Sequence, residues 1–145
     1  MLEVSQRRVA MKIAESLLWT PYKWGGDDPM EGVDCSGYWM EILWSLGIIP
    51  VGDDYPAAAL FDLFPESYMP MEGDMVFWKD SSGKVVHVEM VYNLDLELSI
   101  GASGGGSSTD SPGTASQHNA YVKIRPYLHR SREIAGYRNP YGEVT

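Results

Sequence analysis

Apolar and polar positions follow a helical period at the start of the chain and a strand period near its end. From Val4 to Trp19, Ala10, Ile13, Ala14, Leu17 and Leu18 recur at helical spacing, with Arg7, Arg8, Lys12 and Glu15 on the other side. Thr20-Pro21 closes this helix, because a proline disfavours helix at the residue before it. A turn-rich stretch, Tyr22 to Asp34, follows. A second helix is expected from Cys35 to Leu46, with Cys35, Trp39, Ile42 and Leu46 along one stripe and Gly47 as its stop. Ala57 to Phe64 is a shorter apolar piece, read as one more helix.

From Gly73 the period changes. Met75–Trp78, Val85–Tyr92, Leu96–Ile100, Ala120–Arg125 and Ile134–Arg138 read as strands. Along Val85–Tyr92 the residues alternate, so that Val86, Val88, Met90 and Tyr92 make the better core face. Val85, His87, Glu89 and Val91 point the other way. Gly101 to Gln117, rich in Gly, Ser and Thr, is read as a mobile surface loop. Helices first and an antiparallel sheet after them make an α+β arrangement, expected as a single domain over residues 1–145.

Composition narrows the function. The chain has 145 residues and a 44% apolar share, enough for a core without disulfides or metals. A formal charge of −9 speaks against nucleic acid and gives no attraction to anionic membranes or wall polymers. Any anionic target must therefore be recognised locally. No stretch approaches the roughly 20 apolar residues that span a bilayer. The first twenty residues lack the apolar core of a secretory signal, so the chain is expected to begin in the cytoplasm. No cofactor or metal is expected: the one cysteine cannot build a multi-cysteine site, and the glycine loop lacks a phosphate-binding ending.

That cysteine carries the chemistry. Cys35 sits where a glycine-rich loop meets a helix, and a first helical turn offers unpaired N–H groups and the positive end of the dipole. Both favour a thiolate, and the same N–H groups can receive an oxyanion. Buried packing along the Cys35–Trp39 stripe is the plain alternative. A thiol nucleophile needs a base; the histidines are His87, His118 and His129. His87 lies on a strand and has the rigidity that catalysis needs. His129, in a basic run, reads as a solvated loop residue.

The motifs Thr20-Pro21-Tyr22-Lys23-Trp24-Gly25-Gly26 and Gly32-Val33-Asp34-Cys35-Ser36-Gly37 resemble the nucleophile motif of the NlpC/P60 family of cell-wall peptidases. Gly73-Asp74-Met75-Val76-Phe77-Trp78 with His87-Val88 resembles its second motif, and the match runs from Tyr22 to Ser103. The resemblance implies a papain-like fold and hydrolysis of peptidoglycan stem peptides, commonly between D-glutamate and the following diamino acid. It makes Cys35 the nucleophile and His87 the base. It places the Tyr22 hydroxyl near the thiolate and the oxyanion site, flanked by Asp34 and Ser36. It also suggests a phage tail as the carrier and phage tail proteins as partners. The sequence departs from the family at its third position, where Gly101 replaces the usual polar residue that orients the imidazole. His118 is the expected substitute, Asn119 its rival, and Glu89 a lesser candidate. A non-catalytic module for tail assembly or wall binding is the alternative function.

Overall fold

A computed structural model of the chain describes residues 2–105 and 108–142. Helix α1 (Leu2–Ser16) ends three residues before its sequence expectation. At Trp19 the backbone turns to φ 72°, and the Trp19 N–H pairs with the Val122 carbonyl at 2.8 Å instead of a helical one. Ala10 and Ala14 are fully buried. Arg7, expected on the polar side, is buried with them. Its guanidinium reaches Asp74 Oδ1 at 2.9 Å and the Glu72 carbonyl at 2.8 Å, because the chain before the sheet folds back over α1.

Two short strands, β1 (Asp27–Asp28) and β2 (Gly32–Val33), pair antiparallel and lead into helix α2 (Cys35–Ser45). The Asp34 side chain caps α2, accepting the Gly37 N–H at 2.7 Å. Gly47, at φ +69°, follows its last turn. Seven residues of α2 are buried, among them Cys35, Tyr38, Trp39, Met40, Ile42 and Leu43, so this helix runs through the core. Helix α3 (Ala57–Leu63) follows.

Five antiparallel strands complete the fold: β3 (Met75–Lys79), β4 (Val85–Asn93), β5 (Leu98–Ser103), β6 (Tyr121–Pro126) and β7 (Glu133–Arg138). Their order across the sheet is β6-β5-β4-β3-β7. Met75, Phe77, Val88, Met90, Ile100, Ala102 and Val122 join the helices in the main core. Each large apolar side chain buried this way contributes about 1.5–3 kcal/mol.

The alternation expected along β4 holds at Val88 and Met90, but Glu89 and Val91 are fully buried too. A second cluster of Val76, Trp78, Val91 and Tyr127, joined by Leu128, covers that side of the sheet. The segment expected to be a loop also contains structure. Its first residues complete β5, and helix α4 (Pro112–Gln117) starts from a Ser111–Thr114 capping box. Residues 106 and 107 of that stretch lie outside the described residues. Among the described residues no helix is long and apolar enough to cross a membrane.

Candidate active site

The glycine-rich loop is folded tightly against the start of α2. A Cβ at Gly37 would collide with the Gly26 carbonyl oxygen, so only glycine permits this approach. Asp34 fastens the junction further by accepting the Gly25 N–H at 3.1 Å and the Ser36 hydroxyl at 3.2 Å. Burial pushes the Asp34 carboxyl above its ordinary range, against these bonds. The Gly37 N–H goes to the Asp34 side chain and the Tyr38 N–H to the Asp34 carbonyl. The N–H groups of Cys35 and Ser36 take no part in that cap.

His87 stands near the start of β4, where the strand carries a bulge. Trp78 pairs with His87 and Lys79 with Val85, so Val86 is an extra residue beside the histidine. Bulges re-aim the side chains next to them. The His87 ring tilts 46° against Trp78, with centroids 5.3 Å apart, and keeps 17% exposure. Through Nε2 it pairs with Glu89 Oε2 at 2.5 Å, and Cys35 also interacts with the ring. With Nε2 taken by the carboxylate, the nitrogen left for the sulfur is Nδ1. Burial alone would lower the ring's pKa. The negative charge and hydrogen bond of Cys35, together with those of Glu89, outweigh burial and raise it to about 9.

The group behind the imidazole is therefore Glu89, and neither of the two favoured residues. His118 is exposed at the end of α4, its Nδ1 sharing a hydrogen bond of 2.9 Å with Thr109 Oγ1. Asn119 is exposed at φ 52°, its carbonyl accepting Lys123 Nζ at 2.8 Å. Two features bring Glu89 to the ring. Gly101 leaves the space: a Cβ there would lie 2.6 Å from Glu89 Cγ and 2.9 Å from its Cβ. Arg130 supplies the counter-charge, binding Glu89 Oε2 at 2.8 Å and Oε1 at 3.1 Å. Ser99 Oγ donates to Oε1 at 2.6 Å.

Arg130 itself lies over the Trp78 ring, 4.3 Å from its centroid. Burial would push the Glu89 carboxyl up, but His87 and Arg130 hold it down at about 2. The carboxylate is fully buried and ionised, and each of its oxygens is paired. Sequence reasoning missed Arg130, which stands beside the exposed His129 in the basic run. Gly101 was the available signal, since a glycine inside a strand often marks another group's close approach.

Tyr22 is buried at the cleft wall, joined to β2 by a bridge to Val33. Burial first, and then the charges of Cys35 and Asp34, raise its pKa well above the usual tyrosine value. The phenol stays protonated and able to donate. Gly105 lies against the same ring, where a Cβ would have no room. Tyr22, Cys35, Ser36 and His87 open together onto a cleft of about 1000 Å³.

A cysteine at the mouth of a buried helix, facing an imidazole from an antiparallel sheet, defines the papain-like class of α+β proteins. The sequence model of the NlpC/P60 family matches residues 19–134. The chain belongs to the NlpC/P60 family. Among solved structures it is similar to the NlpC/p60 domain of the peptidoglycan hydrolase SagA, at 21% identity and TM-score 0.63, covering 91% of this chain and 97% of that one. It is also similar to NlpC1 and NlpC2 of Trichomonas vaginalis, at 19% and 17% identity with TM-scores of 0.72 and 0.69. Those matches cover 93% and 92% of this chain but 44% and 46% of the other two, so the chain spans under half their length. No curated protein matches. Family membership supports a cell-wall hydrolase at the level of the family.

Proposed function

We propose that the chain is a cysteine endopeptidase that hydrolyses the peptide stems of peptidoglycan. One observation carries this reading: His87, held through Nε2 by the buried Glu89 carboxylate, lines the same cleft as Cys35 and interacts with it. In the first step Cys35 Sγ attacks the amide carbon, and the carbonyl oxygen becomes an oxyanion. The N–H groups of the first α2 turn and the Tyr22 hydroxyl are the donors assigned to it in this reading. His87 gives its Nδ1 proton to the leaving amine as the C–N bond breaks, leaving a thioester on Cys35. In the second step His87 takes a proton from water, the water oxygen attacks the thioester, and the acid product and free thiol are released. Glu89 fixes the ring through Nε2 and stabilises its charged form.

The bond expected from the family is that between D-glutamate and the diamino acid. A non-catalytic role would need the third position to be empty, and Glu89 takes up the space that Gly101 leaves. Delivery in a phage tail remains part of the proposal. It would bring a chain of net charge −9 to an anionic wall without bulk attraction, and mass spectrometry of purified virions tests it. For the activity, purified protein should release new amino groups from peptidoglycan, and Cys35→Ala should abolish that release. Undiminished release by the variant would remove Cys35 from the mechanism.

A further inference from the structure

The charge of this cleft is opposite to that of the chain. Of the eleven Lys and Arg residues, Lys84, Arg125, Arg130 and Arg132 line it, against one acidic lining residue among the described residues, Asp34. Asp34 is occupied by the Gly25, Ser36 and Gly37 donors. Arg130 is neutralised by Glu89. Arg125 shares the same carboxylate, its guanidinium 4.0 Å from Glu89 Oε2, whose nearer partners are His87 and Arg130.

Arg125 Nε is buried and finds no hydrogen-bond partner among the described residues. The rest of the side chain is held at the wall with 40% exposure. Burial, and then the like charge of Arg130, press against its cationic form, while Glu89 favours it. Arg132, exposed on the same rim, makes no ion pair among the described residues. One carboxylate, Glu89, thus serves two guanidiniums and an imidazole, and an anion brought by a ligand would balance the cation left over.

We propose that Arg125, supported by Arg132, recognises a free carboxylate on the substrate close to the scissile amide. The cleft then selects acidic peptides over their carboxamide counterparts. This rests on the peptidase reading for the position of the amide. It also supplies local recognition to a chain whose overall charge repels anions.

The test is calorimetric titration of the Cys35→Ala protein with two stem tetrapeptides, one carrying D-glutamate at its second residue and the other D-isoglutamine. They differ there by a carboxylate against a carboxamide. The carboxylate peptide should bind about tenfold more tightly, as a charge-assisted pair implies. Adding Arg125→Gln should remove the preference by weakening that peptide alone, and Arg125→Lys should retain part of it. Equal affinities, no binding of either peptide, or a preference that survives Arg125→Gln would overturn the proposal. Hydrolysis by the unmodified protein is scored separately. Selective binding without cleavage upholds the carboxylate site and removes the peptidase reading.

Discussion

Replacing Gly101 by alanine adds one methyl group at the most crowded point behind the active site. That carbon would sit 2.6 Å from Glu89 Cγ, 2.9 Å from its Cβ and 3.2 Å from its Cα. Both residues are buried, Glu89 completely. Glu89 cannot swing away freely, because Arg130, Ser99 and His87 hold its carboxylate. Overpacking of this kind costs about 1–3 kcal/mol. Relief requires Glu89 to leave Nε2 of His87, so turnover should fall as well. Positioned proton transfer contributes ~10²–10⁴-fold, and a loss of about 100-fold is expected. Urea denaturation and the turnover number on a stem peptide are the two measurements.

The decisive comparison repeats Gly101→Ala in a protein already carrying Glu89→Ala and Arg130→Met. That background removes the buried acid and its guanidinium partner together, so that neither charge is stranded. The contact to Cγ is gone while that to Cβ at 2.9 Å stays, so part of the destabilisation should vanish; the difference between the two backgrounds is the coupling between positions 101 and 89. If alanine at 101 costs the same in both, the glycine is not there to make room for Glu89. The explanation of the third position then fails.

Three further outcomes follow from the same structure. With His87 raised to about 9 by Cys35 and Glu89 against the opposing effect of burial, kcat/KM should fall on the alkaline side near pH 9; a limb near 6.5 would refute the pairing. Because the folded value lies above the ordinary 6.5, the charged ring stabilises the fold fully below about pH 6.5. That contribution is lost as pH rises through about 9, and chemical denaturation across this window should show the decline. Arg7→Met should cost about 3–5 kcal/mol by denaturation, since Asp74 would be left buried without its cation; a loss below about 1 kcal/mol would mean that Ser67 and the Met71 N–H suffice.

The repeating patterns of the chain were legible from the sequence. The helical period placed Cys35 at a helix start, and the strand period placed His87 on β4 of an antiparallel sheet. Elements decided by single residues were less so. Helix α4 is six residues long and rests on a capping box, Ser111 with Thr114, instead of an apolar stripe. Arg7 reads as a polar-face residue until the chain near Asp74 folds over it. Periodicity ranks Glu89 low because two residues along a strand normally lie about 7 Å apart on one face. Neither the bulge at Val86 nor an arginine 41 positions away is visible as periodicity. Gly101 looked like a missing functional group when it is the vacancy that admits one.

His87 and Glu89 share a single strand. Backbone pairing between β4 and β5 runs from Asn93 to Met90 and does not continue to His87. Were the partner of the imidazole on β5, its alignment would depend on the register of two strands beyond their last paired residues. With Glu89 two residues from His87 on β4, the spacing of ring and carboxylate is set by one strand's own backbone, and Ser99 of β5 has only to hold the carboxylate from behind.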